Sequence, residues 1–224
     1  MATTPTAPTP TIAEQVAALD SAMTSQLPPA VLQGFVDERA GLAATAVPAG
    51  VAAAGTPMPD AELLDAHGQA TSLGAARAGR PAVVVLYRGA WCPFCNLALR
   101  TYQAQLLPAL RKRGVALVAI SPQRPDGSLS MQEANALEYA VLSDPGNRIA
   151  GALGVLTAPT DGTLASQAAL GLDITEVNAD GTTTLPMPTT VVVDAVGTIR
   201  WIDVHPDYST RSEPAAILEA VSRL

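Results

Sequence analysis

The sequence predicts an α/β protein with a central mixed sheet flanked by helices and with a helical extension at its N-terminus. From about residue 61, apolar runs of strand length alternate with helical patterns, which is typical of an α/β sheet. A buried strand at 81–87, a long helix at 92–113 and a second buried strand at 115–121 predict a right-handed parallel crossover. The 224 residues, 48% of them apolar, suffice for one medium-sized domain plus the extension.

The chain before this domain has its own organisation. A capping box at Thr11 and Glu14 starts a first helix, and Pro28 and Pro29 end it and start a second. These helices are expected to cover the main domain or a partner subunit, and the sequence leaves both open. The predicted parts are a disordered tail at 1–10, the helical extension at 11–46, an Ala/Gly/Pro-rich linker at 47–60 and the main domain at 61–224.

The other elements of the domain follow from short runs between turn signals. His67 and Gly68 form the turn of a hairpin, and Pro108 is expected to kink the long helix. Residues 154–188 are expected to be mostly loops. The remaining predictions are strands at 61–66, 69–73, 139–143, 189–194 and 198–204, and helices at 129–137, 147–153 and 215–224.

Composition and charge exclude several classes of protein. A net charge of −7 and a pI near 4.7 argue against nucleic acid or an anionic membrane as a partner, because both select for basic surfaces. The first residues lack the charged and apolar regions of a signal peptide, and no run approaches the roughly 20 apolar residues of a membrane span. A cytoplasmic protein is therefore expected.

Both cysteines of the chain, Cys92 and Cys95, lie where a strand gives way to a helix. A thiol there faces unpaired amide groups and the positive end of the helix dipole, which favours thiolate. Cys95 begins an apolar stripe that faces the core, whereas Cys92 is expected to stay more accessible. The two Cα atoms should lie roughly 5 to 6 Å apart, within the range of a disulfide. The pattern predicts a redox pair with Cys92 as attacking thiol and Cys95 as resolving thiol.

Three segments resemble a known family. They are YRGAWCPFCNL at 87–97, LPMPTTVVVD at 185–194 and GTIR at 197–200. Together they resemble the peroxiredoxin-like branch of the alkyl hydroperoxide reductase/thiol-specific antioxidant (AhpC/TSA) family, which has a thioredoxin-like fold. The resemblance covers about residues 57–224.

The resemblance implies a thiol-dependent peroxidase. Hydrogen peroxide or an organic hydroperoxide would oxidise Cys92 to a sulfenic acid, and Cys95 would resolve it as an intramolecular disulfide. Thioredoxin or a similar thiol reductant would then restore the dithiol. No metal and no organic cofactor are implied, and a homodimer is one assembly that the resemblance allows.

The resemblance also points to residues around the thiols. Pro188, after Met187, takes the place of the cis proline that faces the cysteine pair in the thioredoxin superfamily. Typical peroxiredoxins carry Pro-x-x-x-Thr-x-x-Cys, and this chain has Val85 and Gly89 in place of the proline and the threonine. The arginine that those enzymes place before a later strand corresponds here to Pro188.

Other side chains are candidates to stabilise a peroxide. Arg88 is the nearest cation to Cys92 in the sequence, and Trp91 could cover its thiol. Arg200 and Arg211 are further candidates.

Other functions remain open. The pair could reduce protein disulfides, or it could act as a redox sensor whose disulfide alters binding by the N-terminal helices. A zinc site could use only Cys92, Cys95, His67 and His205, and an incidental structural pair is a further alternative. His205 is best interpreted as a loop histidine with satisfied hydrogen bonds.

Overall fold

The computed structural model describes residues 9–224, so most of the tail predicted at 1–10 lies outside the described residues. None of the described helices has the length and apolarity needed to cross a membrane. The helices are α1 (Ile12–Gln26), α2 (Pro29–Ala43), α3 (Leu73–Arg77), α4 (Pro93–Thr101), α5 (Leu107–Lys112), α6 (Pro125–Ala134), α7 (Arg148–Leu153), α8 (Asp161–Ala169), α9 (Ile174–Val177) and α10 (Pro214–Val221). The strands are β1 (Glu62–Leu64), β2 (Ala70–Ser72), β3 (Ala82–Leu86), β4 (Ala116–Ser121), β5 (Ala140–Ser143), β6 (Leu156–Thr157), β7 (Leu185–Pro186), β8 (Thr189–Val193) and β9 (Ile199–Val204).

A mixed sheet with the strand order β2-β1-β5-β4-β3-β8-β9 forms the centre of the molecule. Strands β3 and β4 are parallel, with Val84 opposite Val118, and β8 joins the other side of β3 in antiparallel orientation. All residues of β3, β4 and β8 are buried, which explains why β3 and β4 appear in the sequence as nearly continuous apolar runs. The predicted α/β class, mixed sheet and parallel crossover are confirmed.

The long helix after the cysteines is interrupted before its proline. Helices α4 and α5 are joined by a π-helical turn at Tyr102–Leu106, and Pro108 follows in the first turn of α5. Because proline has no N–H, Pro108 cannot donate to the carbonyl of Ala104, and the backbone widens there. The helix is therefore irregular next to the residue where the sequence predicted a kink. The apolar stripe is also confirmed, because Cys95, Leu99, Tyr102, Leu106 and Leu110 are all buried.

The segment predicted to be mostly loops contains regular structure. Residues 154–188 include α8, α9 and the strand pair of β6 with β7. The Thr160 hydroxyl caps α8 by accepting the N–H of Thr163. Helix α8 is rich in small and polar residues and shows little apolar periodicity, so its packing against α2 stabilises it more than its own pattern does. Helix α6 begins at Pro125, four residues earlier than predicted, because proline suits the first helical position.

Both N-terminal helices pack on the main domain. The predicted capping box of α1 is present, and the Glu213 carboxylate also accepts the N–H groups of Ile12 and Ala13 at 3.0 and 2.9 Å. Helix α2 packs closely on α8, since a Cβ added at Gly34 would lie 2.3 Å from the carbonyl oxygen of Gly162. The segment 47–60 joins the domain through backbone hydrogen bonds, among them one from Ala52 to the carbonyl of Leu153.

Candidate active site

Cys92 lies at the mouth of α4, at the end of the turn that follows β3. It is the N-cap residue, and its carbonyl accepts the N–H groups of Cys95 and Asn96. Cys92 was expected to be the more accessible thiol, but both cysteines are buried, with Cys92 1% and Cys95 0% exposed. Side chains distant in sequence pack near this turn, because Arg39 of α2 and Tyr208 of the loop after β9 both lie against the neighbouring Phe94.

Phe94 connects the turn that carries Cys92 to α2 and to the loop after β9. The Arg39 guanidinium lies 5.4 Å from the centre of the Phe94 ring, and the Tyr208 ring centre lies 6.2 Å from it. Arg39 is itself held by Asp20 of α1 in a two-pronged ion pair. The helical extension and the C-terminal loop therefore both pack against Phe94, two residues after Cys92.

Arg211 lies against the cysteine pair and stabilises a negative charge on Cys95. Its Nη2 donates to the Sγ of Cys95 at 3.1 Å, and both side chains are buried. Burial alone would raise the pKa of Cys95, but the hydrogen bond from the Cys92 thiol and the Arg211 charge lower that pKa to about 5. Burial, reinforced by the adjacent Cys95 thiolate, raises the pKa of Cys92. The negative charge of the reduced pair therefore lies on Cys95, whereas the sequence favoured a thiolate at the helix mouth.

A network of hydrogen bonds fixes the loop that carries Arg211. Arg211 Nη1 donates to the carbonyls of Tyr208 and Thr210, both at 2.6 Å. At the base of the loop, the Ser212 hydroxyl donates to Asp203 at 2.8 Å and His205 Nε2 lies 3.0 Å from the same carboxylate oxygen. Both contacts lower the pKa of Asp203, and the contact with His205 has the larger effect. His205 is thus a loop histidine with satisfied hydrogen bonds, as predicted.

Three hydrogen-bond donors near Cys92 have no acceptor among the described residues. They are Arg88 Nε, Trp91 Nε1 and the hydroxyl of Tyr208, and each of these atoms is buried. The Arg88 guanidinium lies 4.0 Å from the Tyr208 ring centre and 5.0 Å from the Trp91 ring centre, and it makes none of the ion pairs found at 9–224. Burial raises the pKa of Tyr208, so its hydroxyl keeps its proton. Buried donors are normally paired, and each of these three is covered by neighbouring side chains, so an acceptor from outside the chain can pair with them only when those side chains move.

Gly89 leaves no room for the threonine of typical peroxiredoxins. A Cβ at this position would lie 2.3 Å from Trp91 Nε1 and 2.9 Å from Cδ of Gln123. The Gln123 carboxamide oxygen also accepts the N–H of Ala90. Trp91 and Gln123 thus occupy the space that a side chain at residue 89 would need, and the unpaired donors around Cys92 come from other residues.

The other residues predicted from the family pattern lie apart from this cluster of donors or differ from expectation. Met187 is buried in the core on the opposite face of the sheet from Cys92. The bond before Pro188 is trans, in contrast to the predicted cis bond, and no cis bond occurs at 9–224. The trans form is intrinsically favoured, and here the Pro188 carbonyl accepts the N–H of His205 at 2.9 Å in an extended strand-like pairing. Arg200 forms a surface ion pair with Asp194 and does not reach the thiols.

A cavity of about 540 Å³ opens beside Cys92. Arg88, Trp91 and Tyr208 line it together with residues of α1, α2 and the segment after α8. We call it the chamber. Within 9–224, no group of three or more His, Cys, Asp or Glu side chains has the arrangement of a metal site.

The sequence profile of the AhpC/TSA family matches residues 54–202, which is more than half of the chain. The protein therefore belongs to the AhpC/TSA family, and this membership makes it an oxidoreductase of the thiol-dependent peroxidase class. A sequence comparison with curated proteins finds no match.

Solved structures of peroxiredoxins and thiol peroxidases share its fold. Reduced Prx3 of Vibrio vulnificus in complex with H2O2 has a TM-score of 0.60 at 20% identity, over 76% of this chain and 99% of that one. Peroxidoxin BcpB of Mycobacterium tuberculosis has a TM-score of 0.56 at 20% identity, over 75% and 94% of the two chains. A thiol peroxidase of Chromobacterium violaceum has 0.57 at 16% identity, over 77% and 87%. The predicted thioredoxin-like fold is confirmed.

Proposed function

We propose that Cys92 is the thiol that attacks the peroxide and that Cys95 resolves the product as a disulfide. The observation that carries this proposal is the position of Cys92 on the chamber wall beside the three unpaired donors. Cys95 does not line the chamber and lies behind Cys92 in the core. Thus only Cys92 has a route to a substrate, and only Cys95 is held against Arg211.

The first step oxidises Cys92 by two electrons. The Cys95 thiolate accepts the proton of the Cys92 thiol, and the Cys92 sulfur attacks the distal oxygen of the peroxide. The S–O bond forms while the O–O bond breaks, which leaves a sulfenic acid on Cys92 and an alkoxide or hydroxide. Cys95 returns the proton to this leaving oxygen. When the side chains that cover them move, Arg88 and Tyr208 donate to the peroxide oxygens and stabilise the charge that develops there.

The second step forms the disulfide. The Cys95 thiolate attacks the sulfur of the sulfenic acid, and hydroxide leaves and takes up a proton from solvent to form water. Arg211 beside Cys95 keeps this nucleophile ionised between the two steps. An external dithiol, thioredoxin or a similar reductant, then becomes oxidised as it restores the two cysteines. We place this cycle in the cytoplasm, where such reductants keep thiols reduced, and a homodimer stays a prediction.

Peroxide consumption by the two cysteine variants tests the proposal. With thioredoxin, thioredoxin reductase and NADPH present, wild-type protein should consume peroxide, and Cys92→Ser should lose at least about 99% of this rate because no attacking sulfur remains. Cys95→Ser should accept a single oxidation and accumulate a sulfenic acid that dimedone traps. Wild-type consumption no faster than buffer with several thiol reductants would refute the proposal.

The alternative activity on protein disulfides is measured in parallel. A disulfide of another protein must reach the attacking sulfur, and Cys92 is 1% exposed. We therefore expect little reduction of insulin disulfides by the dithiol form. Fast insulin reduction without peroxide turnover would favour the thiol-disulfide oxidoreductase instead.

A further inference from the structure

We propose that Glu38 of α2 is a positioning residue for the reaction, because its carboxylate is the counter-ion that holds the Arg88 guanidinium beside Cys92. This inference rests on the proposed function, in which Arg88 stabilises the charge that develops on the peroxide oxygens. It gives the helical extension a part in the chemistry, since α2 supplies the carboxylate. Four features carry it: two buried charges, a small cavity that they share, a phenol on which both act, and the path from Arg88 to Cys92.

Glu38 differs from the rest of its helix, because it is the one residue of α2 that is buried. It is 6% exposed. Its Oε1 accepts the N–H of Thr160, just before α8, at 2.7 Å. Its Oε2 is buried and has no hydrogen-bond partner among the described residues. Since carboxylates are almost never buried without a partner, a positive charge is expected on the side of Oε2.

Arg88 is a buried cation that is also incompletely paired. It is 4% exposed, and its Nε has no acceptor within the part of the chain that the structure describes. It makes none of the direct ion pairs found at 9–224. A guanidinium that leaves water without an opposite charge nearby loses much solvation free energy. Arg88 therefore requires a negative charge in its surroundings.

A second cavity, separate from the chamber, brings the two groups together. Its volume is about 10 Å³, and Glu38, Arg88 and Tyr208 all line it. Of the described residues on its wall, only Glu38 and Arg88 are charged. The space is about that of a single water molecule, so almost no solvent lies between the two charges. Their attraction is therefore only weakly screened.

Tyr208 lies within the influence of both charges. The Arg88 guanidinium is 4.0 Å from the centre of its ring. Burial raises the pKa of Tyr208, the Arg88 charge lowers it and the Glu38 charge raises it further. Glu38 and Arg88 thus act on the same phenol from two sides of one small cavity.

Arg88 connects this cavity to the reacting sulfur. Arg88 lines the chamber as well as the second cavity, whereas Glu38 lines only the second cavity and Cys92 lines only the chamber. Burial raises the pKa of Cys92, and the Arg88 charge opposes this effect. Glu38 therefore does not touch a substrate in the chamber, and its effect on the reaction must pass through Arg88.

A cycle of two substitutions tests whether Glu38 acts through Arg88. Glu38→Gln removes the charge but keeps an oxygen for the N–H of Thr160, and kcat/KM for hydrogen peroxide should fall about tenfold because Arg88 is displaced. Arg88→Met should cost about a hundredfold, because the donor itself is lost. Adding Glu38→Gln to Arg88→Met should change kcat/KM by less than about twofold. A further tenfold fall in the double variant would overturn the inference.

Asp37→Asn is the matched control. It removes the same charge from the adjacent residue of α2, which is exposed and lines neither cavity. Its charge is screened by solvent, so kcat/KM should stay within about twofold of the wild-type value. Equal losses in Asp37→Asn and Glu38→Gln would contradict a specific counter-ion at Glu38.

Urea unfolding of the same variants tests the interaction without any peroxide. Glu38→Gln and Arg88→Met each leave one buried charge without its counter-ion, so the equilibrium constant for unfolding should rise in both. In the double variant it should be at least about threefold below the product of the two single changes. Such coupling without consumption of any peroxide would refute the peroxidase and support the counter-ion. Fast peroxide turnover with single changes that simply multiply would refute the counter-ion alone.

Discussion

Arg211 and Cys95 are 116 residues apart in sequence, yet their contact, together with the hydrogen bond from the Cys92 thiol, favours a negative charge on Cys95. A helix N-terminus favours an anion at Cys92, but a full positive charge at 3.1 Å from the other sulfur has the larger effect. The result is a pair that shares one proton. Cys95 can thus serve first as the base for Cys92 and then as the nucleophile that closes the disulfide.

Replacement of Arg211 tests this charge assignment. Thiolate absorbance at 240 nm should titrate near pH 5 in the reduced wild-type protein. In Arg211→Met the midpoint should rise by roughly one pH unit or more, because the neighbouring positive charge is lost. Arg211→Lys keeps a charge without the forked geometry and should fall between the two. An unchanged midpoint in Arg211→Met would show that Arg211 does not hold the thiolate.

Gly89 changes which residues supply hydrogen-bond donors near Cys92. With no side chain there, Trp91 and Gln123 move into the vacated space. The unpaired hydrogen-bond donors then come from Arg88, next to Gly89, from Trp91, and from Tyr208 on a distant loop. The departure from the common peroxidase motif is therefore a rearrangement of donors around the thiol.

At the scale of elements, the helical extension builds part of the site. Helix α1 packs on α4 and α2 packs on α8, and both α1 and α2 contribute walls to the chamber. The close contact between α2 and α8 depends on Gly34, whose Cα faces the backbone of Gly162. A side chain there would push the two helices apart.

Two alanine substitutions in α2 test this contact. In Gly34→Ala the new Cβ would lie 2.3 Å from the carbonyl oxygen of Gly162 and 2.4 Å from Oγ of Ser166, so the free energy of unfolding should fall by about 1 to 3 kcal/mol. In Gly41→Ala the Cβ meets nothing within 4 Å, and the same change should raise stability by up to about 1 kcal/mol. Urea unfolding measures both. Equal effects would mean that the contact between α2 and α8 is loose.

At the scale of the whole molecule, oxidation removes a buried charge. The reduced protein holds the Cys95 thiolate against Arg211, whereas the disulfide form has no thiolate there. The stability of the two forms must therefore depend differently on pH.

The pH dependence of unfolding measures this difference. The pKa of Cys95 is about 5 in the folded protein, and a thiol in the unfolded chain has a pKa of about 8.5. Between these values the folded state binds fewer protons, so the thiolate stabilises the reduced protein increasingly as pH rises from 5 to 8, and this contribution is lost as pH falls through 5. The urea midpoint of the reduced form should therefore rise more from pH 5 to pH 8 than that of the disulfide form. Parallel midpoints would contradict a native thiolate.

The sequence by itself determined the α/β class, the parallel crossover, the interruption near Pro108 and the position of Cys92 and Cys95 between strand and helix. These features depend on neighbours in the chain: apolar runs, caps, a missing N–H and the spacing of two thiols. Helix α8 was not predicted, because its stability comes from its contact with α2, and this contact leaves no pattern in the local sequence.

Only the tertiary structure decided how the site works. The burial of Cys92, the charge on Cys95 and the unpaired donors all depend on Arg39, Tyr208 and Arg211, which reach the turn from distant parts of the chain. Burial and Coulomb interactions depend on distance in space, and a linear sequence records only distance along the chain. For this reason the sequence could predict the redox pair and the family. The chamber and the protonation of Cys92 could be learned only from the tertiary structure.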